Sequence, residues 1–256
     1  MSVNYIDLKE AKDKPGLRMT VVQGLPSPWS EAAKGILHLK KIPWSAVYLN
    51  PRDQDMASWV GSRSAPVAVY ENESPRSSWV DILLLAERLS PELALLPKNP
   101  KQRALALGLC HEICGEGGLG WSRRLELVHM GIHGMGGFPE SISKYLGAKY
   151  GYCEHDADGY ERRVIAILNM LTDCLREQLE AGERFYIGST LSAVDIYSAT
   201  FMSLFKPLPA EQCPMIESIR PVFESVNEKV KEALDPILIA HRDLMYSEYL
   251  ATPLSL

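Results

Sequence analysis

No cysteine occurs in the first 109 residues of this 256-residue chain; Cys110, Cys114, Cys153, Cys174 and Cys213 all lie beyond them. An active site in the N-terminal part therefore has no thiol of its own. An odd cysteine count with no secretory signal also speaks against a disulfide scaffold. No apolar stretch approaches the ~20 residues of a membrane-spanning helix. Positive charge is not in excess: 27 Lys and Arg against 32 Asp and Glu leave −5, which argues against a nucleic-acid binder. Repeats and low-complexity tracts are missing too. Met1 to Gly16 has no apolar core of a signal peptide and mixes Asp7, Lys9, Glu10, Lys12, Asp13 and Lys14. It reads as a polar leader, expected to be disordered, and the expected location is the cytoplasm.

What is present is an ordinary soluble composition, 46% hydrophobic and 23% charged, with length for one large domain or two small ones at roughly 100–200 residues each. Strand and helix signals alternate over 17–90. The runs 17–22, 43–49 and 65–70 are β-rich and end in Gly, Pro or Asn. Ser30 to Leu39 and Val80 to Leu89 favour helix, with a short helix over 53–60. This order predicts a small α/β layer domain. Segment 91–100, with Pro91, Pro97 and Pro100, reads as a linker. Beyond it, 102–112, 121–132, 159–179, 192–204 and 215–249 carry helical periodicity, the last divided by Pro221 and Pro236. Gly134 to Pro139 and Gly147 to Asp158 read as a long loop-rich insertion.

Three segments carry chemistry or chain direction. In Phe185-Tyr-Ile-Gly-Ser-Thr-Leu-Ser192-Ala-Val-Asp195-Ile196, Ser192 can cap the Asp195 N–H while Asp195 reaches back to the Ser192 N–H, with Leu191 and Ile196 as a staple. By itself this is a generic capping box. Ser64-Ala65-Pro66-Val67 opens a strand; alone, it is compatible with a trans proline on an edge strand. Gly24-Leu-Pro-Ser27-Pro28-Trp29-Ser30 joins the first strand to the first helix. There Ser27 can serve as a simple N-cap or present its hydroxyl and the helix N-terminus to an anion.

Together these segments resemble the glutathione S-transferase superfamily over about 17–250. The resemblance implies a thioredoxin-like domain at 17–90, a linker at 91–100 and an all-helical domain at 101–256 with the acceptor-substrate pocket. It implies glutathione as co-substrate, no metal, a cytoplasmic homodimer, and no nucleic-acid or membrane partner. It places the catalytic hydroxyl at Ser27, with Ser30 as the fallback donor. Glutathione contacts fall to Pro28, Trp29, Arg63, Ala65, Pro66, Arg76, Ser77 and Ser78, with Pro66 cis and the Ala65 backbone pairing with the cysteinyl backbone. Trp121, Arg124 and His129 begin the acceptor pocket, suited to an aromatic or anionic electrophile. A serine stabilises the substrate's thiolate and forms no mixed disulfide, so conjugation, isomerisation or glutathione-dependent cleavage is favoured over thiol transfer. The family's Glu-Ser or Gln-Ser before the third helix is replaced by Arg76-Ser77-Ser78, leaving Asp81 as the nearest acidic partner for the glutamyl ammonium. A catalytically silent binding protein of this fold is the alternative.

Glu126, His129 and His133 are spaced for one helix face, and Cys110, His111 and Cys114 are near each other in sequence. Gly131 weakens that helix and no matching second ligand pair is evident, so no metal is expected. The glycine-rich 115–120 follows a helix and lacks the strand–loop–helix setting of a phosphate site.

Overall fold

The computed structural model describes residues 3–256. The chain divides into two compact units: Met1–Leu95 with Pro209–Ile216 and Tyr246–Leu256, and Leu96–Leu208 with Glu217–Met245.

The first unit holds β1 (Asn4–Tyr5), α1 (Leu8–Asp13), β2 (Leu17–Val21), α2 (Pro28–Leu39), β3 (Trp44–Tyr48), α3 (Gln54–Val60), β4 (Val67–Tyr70) and α4 (Trp79–Leu89). The sheet order is β1-β3-β2-β4. β1 and β2 run parallel to β3, and β4 runs antiparallel to β2. All five residues of β2 are buried, as befits a central strand covered on both faces. One cover is a core of Ala11, Val47, Met56, Val60, Val67 and Val69, drawn from α1, α3 and the strands between them. On the other side of the pleat lie Met19, Val21 and Ala68, all buried. α2 and α4 pack on each other. Each such side chain withdrawn from water contributes roughly 1.5–3 kcal/mol.

The leader expectation is corrected from residue 3 onward; Met1 and Ser2 lie outside the described residues. Asn4 and Tyr5 pair with Ser45 and Ala46, and Tyr5 stacks on Tyr48 at 4.4 Å between ring centroids. Asp7 caps α1, its Oδ1 accepting from the Glu10 N–H at 2.8 Å. The charges that suggested disorder sit on the outer face of α1, while Ala11 is fully buried. Arg18, 4% exposed, then locks the turn into β2 by donating to the carbonyls of Ala11, Gly16 and Glu71.

The boundary at 101–256 is corrected as well. Tyr246–Leu256 and Pro209–Ile216 return to the first unit. Ser255 O accepts from Tyr5 Oη at 2.9 Å and Lys34 Nζ at 2.7 Å. Leu254 N–H donates to Gln212 O at 2.7 Å, and Ile216 N–H to Gly24 O at 3.0 Å. Periodicity carries no record of where a helix's last turn docks, so this return was invisible in the sequence.

Lys40, just past α2, has a fully buried side chain. Its ammonium donates to Glu87 Oε1 at 2.7 Å and to Leu93 O, tying α2 to α4 and to the segment read as a linker. Lys40→Met is expected to destabilise the protein by about 3 kcal/mol, since it leaves Glu87 without its buried cation. A urea unfolding curve with a wild-type midpoint would contradict this.

The second unit contains α5 (Pro100–Cys114), α6 (Leu119–Ile132), α7 (Glu140–Tyr150), α8 (Ala157–Glu180), α9 (Ala193–Phe201), α10 (Arg220–Glu224), α11 (Glu228–Ala233) and most of α12 (Pro236–Glu248). Every residue of α9 is buried, the mark of a helix surrounded on all sides. α5 packs on α9, and α6 packs on α7 and α8. α7 corrects the start of the loop-rich reading of 147–158: the helix runs through Gly147 to Tyr150, and Gly151 is its left-handed C-cap at φ +72°. Pro221 and Pro236 do divide the last region, by sitting in the first turns of α10 and α12, where a missing N–H has no helical partner.

Candidate active site

β2 and β3 are parallel, so they end at the same edge of the sheet. The β2–α2 connection leaves from that edge. Because β4 is antiparallel and Thr20 faces Val67, the residues before Val67, Ala65 and Pro66, lie at this edge too. Arg76 bridges Ala68 in antiparallel sense, so the chain running on to Ser77 and Ser78 heads for the same edge. Three separated segments thus converge at the carboxyl end of the parallel strands, the usual ligand side of an open α/β sheet. Arg76 makes this single bridge and no longer strand.

Gly24 makes the first of these turns possible. Its φ is +70°, and a Cβ there would meet Ile216 Cδ1 at 3.0 Å. Ser27 follows as N-cap of α2, in extended conformation, with its N–H on Leu25 O and its carbonyl accepting from Glu31 N–H, both at 2.8 Å. The Ser27 hydroxyl makes no capping bond and is half-buried. The simple N-cap role for this side chain is therefore not taken up. Pro28 occupies the first turn, and Trp29 is half-buried beside it. Ser30 is fully buried, its Oγ without a hydrogen-bond partner. Of the two serines, Ser27 is the less buried one at the start of α2.

The Ala65–Pro66 peptide is cis. Ala65 is half-buried, and among the described residues no hydrogen bond engages its N–H or carbonyl. Val67 N–H is held by Thr20 Oγ1 at 3.1 Å, a support from β2 that sequence reasoning missed. Arg63 is exposed and donates to Pro51 O and Gln54 Oε1; its guanidinium fixes the α3 turn.

At α4, Ser78 is the N-cap: Oγ accepts from Asp81 N–H at 3.1 Å and donates to Asp81 Oδ2 at 2.6 Å. Ser77 is exposed. Arg76 donates to Glu73 Oε2 and Ser74 O. Arg88 also binds Glu73, and hydrogen bonds from Arg88 and then Arg76 hold the Glu73 carboxyl below the usual carboxylate range.

Within the second unit, α6 carries Trp121, Arg124 and His129 toward α7 and the segment after it. Trp121 meets Tyr150 edge-on at 4.8 Å, and the Arg124 guanidinium lies 4.7 Å from the same ring. His129 Nδ1 is 2.8 Å from Tyr152 Oη. All three already have partners inside the unit. Glu126 binds Arg123 instead of joining His129 and His133 as a ligand set, and His133 Nε2 lies 3.4 Å from Glu154. Among the described residues no group of three metal-ligating side chains is found. Cys110 and Cys114 are buried, with burial pushing both thiols up; Cys114 Sγ donates to Cys110 O. Among the described residues no helix is long and apolar enough to cross a membrane.

No protein-family model matches the chain, and no curated protein matches it. Solved structures do. A glutathione S-transferase of Methylobacterium radiotolerans, complexed with glutathione sulfonate, is 17% identical, with 94% of this chain and 97% of that one covered and a TM-score of 0.58. A glutathione S-transferase of Methylobacillus flagellatus with glutathione bound is 12% identical, covering 90% and 94%, at a TM-score of 0.61. A β-etherase of Sphingobium is 16% identical, with the same coverage, at 0.63. With a mixed four-stranded sheet followed by a helical unit built around a capped, buried helix, the chain has the fold of the glutathione S-transferase superfamily.

Proposed function

We propose that the protein is a glutathione-dependent transferase, or a related lyase or isomerase, in which the Ser27 hydroxyl stabilises the glutathione thiolate. The observation that carries this reading is the uncommitted Ser27 hydroxyl at the start of a twelve-residue helix, at the same sheet edge as the unpaired Ala65 backbone. Two relatives of the same fold bind glutathione or its sulfonate.

The chemistry follows from the parts. A free thiol ionises near pH ~8.5, and hydrogen bonding plus a positive local potential lowers that value. Ser27 Oγ–H donates to the sulfur, and the N-terminus of α2 adds its partial positive charge. The Ala65 N–H and carbonyl receive the cysteinyl backbone, with Pro28, Pro66 and Trp29 as walls. Ser77 and the start of α4 bind the γ-glutamyl carboxylate. The thiolate then adds to a small electrophile, and its former thiol proton passes to solvent. We assign the electrophile's aromatic or anionic part to Trp121, Arg124 and His129. We further propose a cytoplasmic homodimer.

One observation favours a second reading, a catalytically silent glutathione-binding relative. The γ-glutamyl ammonium finds no uncommitted carboxylate near Ser77: Asp81 accepts from Ser78, and Glu73 from Arg76 and Arg88. Turnover decides between the two. The transferase reading expects retention on immobilised glutathione and conjugation of a chlorinated dinitrobenzene. Retention without turnover of aryl halide, maleyl or aryl-ether substrates supports the silent protein.

A further inference from the structure

The first unit also holds a cavity of about 690 Å³. Every lining residue belongs to that unit. A stripe of α2 forms one wall, with Glu31, Lys34 and His38 at helical spacing. Apolar lining comes from Trp44, Tyr246 and Leu250 among others. This volume and this mixture, mostly apolar with a few convergent polar groups, are those of a small-molecule site of roughly 300–1,000 Å³.

The polar groups are unusual for their burial. Glu31 is 6% exposed and Lys34 8%. Their Oε1 and Nζ atoms are 2.5 Å apart, yet Glu31 Oε1 receives no aligned hydrogen bond. Lys34 is turned instead to Ser255 O. Burial, outweighing Lys34, pushes the Glu31 carboxyl up. A buried carboxylate normally collects several donors; this one has a single cation, and its residue lines the cavity wall.

We propose that this cavity binds a small, neutral aromatic alcohol, its ring against Trp44 and its hydroxyl donating to the Glu31 carboxylate. A hydroxyl supplies the missing donor. A second cation would sit beside Lys34, and an anion beside Glu31, so neither suits the site. Trp44 and the apolar lining favour a flat ring over a sugar-like polyol. None of Ser27, Ala65 or Ser77 takes part, so the site stands independently of the glutathione reading.

Titration calorimetry of the full chain with β-naphthol tests this. One saturable site is expected, with naphthalene binding at least ~10-fold more weakly for want of the donor. β-Naphthoate is expected to show no saturable binding. Pro43→Trp, which fills the exposed lip of the cavity, is expected to weaken β-naphthol at least tenfold while leaving a cooperative thermal transition. Saturating glutathione is expected to leave the β-naphthol affinity unchanged. The proposal is overturned by equal affinity for naphthalene, by tighter binding of β-naphthoate, by an undiminished affinity in Pro43→Trp, by competition from glutathione, or by no binding.

Discussion

Ser27→Ala lowers kcat for glutathione conjugation by up to about 10²-fold, the scale of losing one aligned donor to a developing or held anion. The substitution removes one oxygen that makes no intramolecular bond, so the fold and the thermal transition stay as in wild type. Glutathione affinity is expected to change little, because the proposed contacts of the Ala65 backbone and Ser77 to the rest of the tripeptide are kept. The pH profile carries the sign. In wild type the bound thiol is expected to ionise below its free value of ~8.5, with the rate levelling off beneath that pH. In Ser27→Ala the rate keeps rising through pH ~8.5, since the donor that favoured the thiolate is gone. A variant with wild-type kcat and an unmoved profile contradicts the assignment. Ser30→Ala is the matched control: its hydroxyl is enclosed, and its loss leaves the profile where it was.

Asp195→Ala produces the largest loss of stability in the second unit. Asp195 is fully buried and organises the start of α9. Its Oδ2 accepts from the Ser192 N–H and hydroxyl, both at 2.8 Å, and its Oδ1 from the Tyr186 N–H at 3.0 Å. His241 Nε2 lies 3.2 Å away. Alanine leaves two buried backbone N–H groups unpaired, at about 1–3 kcal/mol each, and removes half of the capping box. The sum, about 2–6 kcal/mol, is a large part of the 5–15 kcal/mol of an ordinary domain. The expected result is insoluble protein or a chain that unfolds at much lower denaturant. Asp195→Asn keeps one acceptor and loses less. A wild-type unfolding midpoint for Asp195→Ala would show that α9 does not depend on its cap.

The same residues show how far the sequence carries. Ser192 and Asp195 were legible because a capping box is local: both partners lie within one turn, and the spacing alone defines the bond. The cis Ala65–Pro66 peptide was legible through resemblance, and the place of Ser27 just before α2 from the turn between the first β-rich run and the first helix. What stayed hidden is which side chains the chain itself engages, and which distant segments cover a residue. Ser78 looked like a ligand donor, yet it is the cap of α4. Arg63 and Arg76 looked like anion binders, yet each is held by its own loop. Nothing in the charged run 7–14 shows that Ala11 is buried beneath it. Glu31 and Lys34 form a buried i,i+3 pair on α2, a spacing usually found on solvated faces. Their burial comes from Tyr246–Leu256, which returns from the far end of the chain.

The central claim is that Ser27 holds glutathione as its thiolate. The most direct measurement is the ultraviolet thiolate absorbance of bound glutathione, titrated with pH on wild type and on Ser27→Ala. The expected result is ionisation well below ~8.5 in wild type and a return toward that value in the variant. Bound glutathione that ionises at its free value in both proteins, or no saturable binding in wild type, would contradict the account.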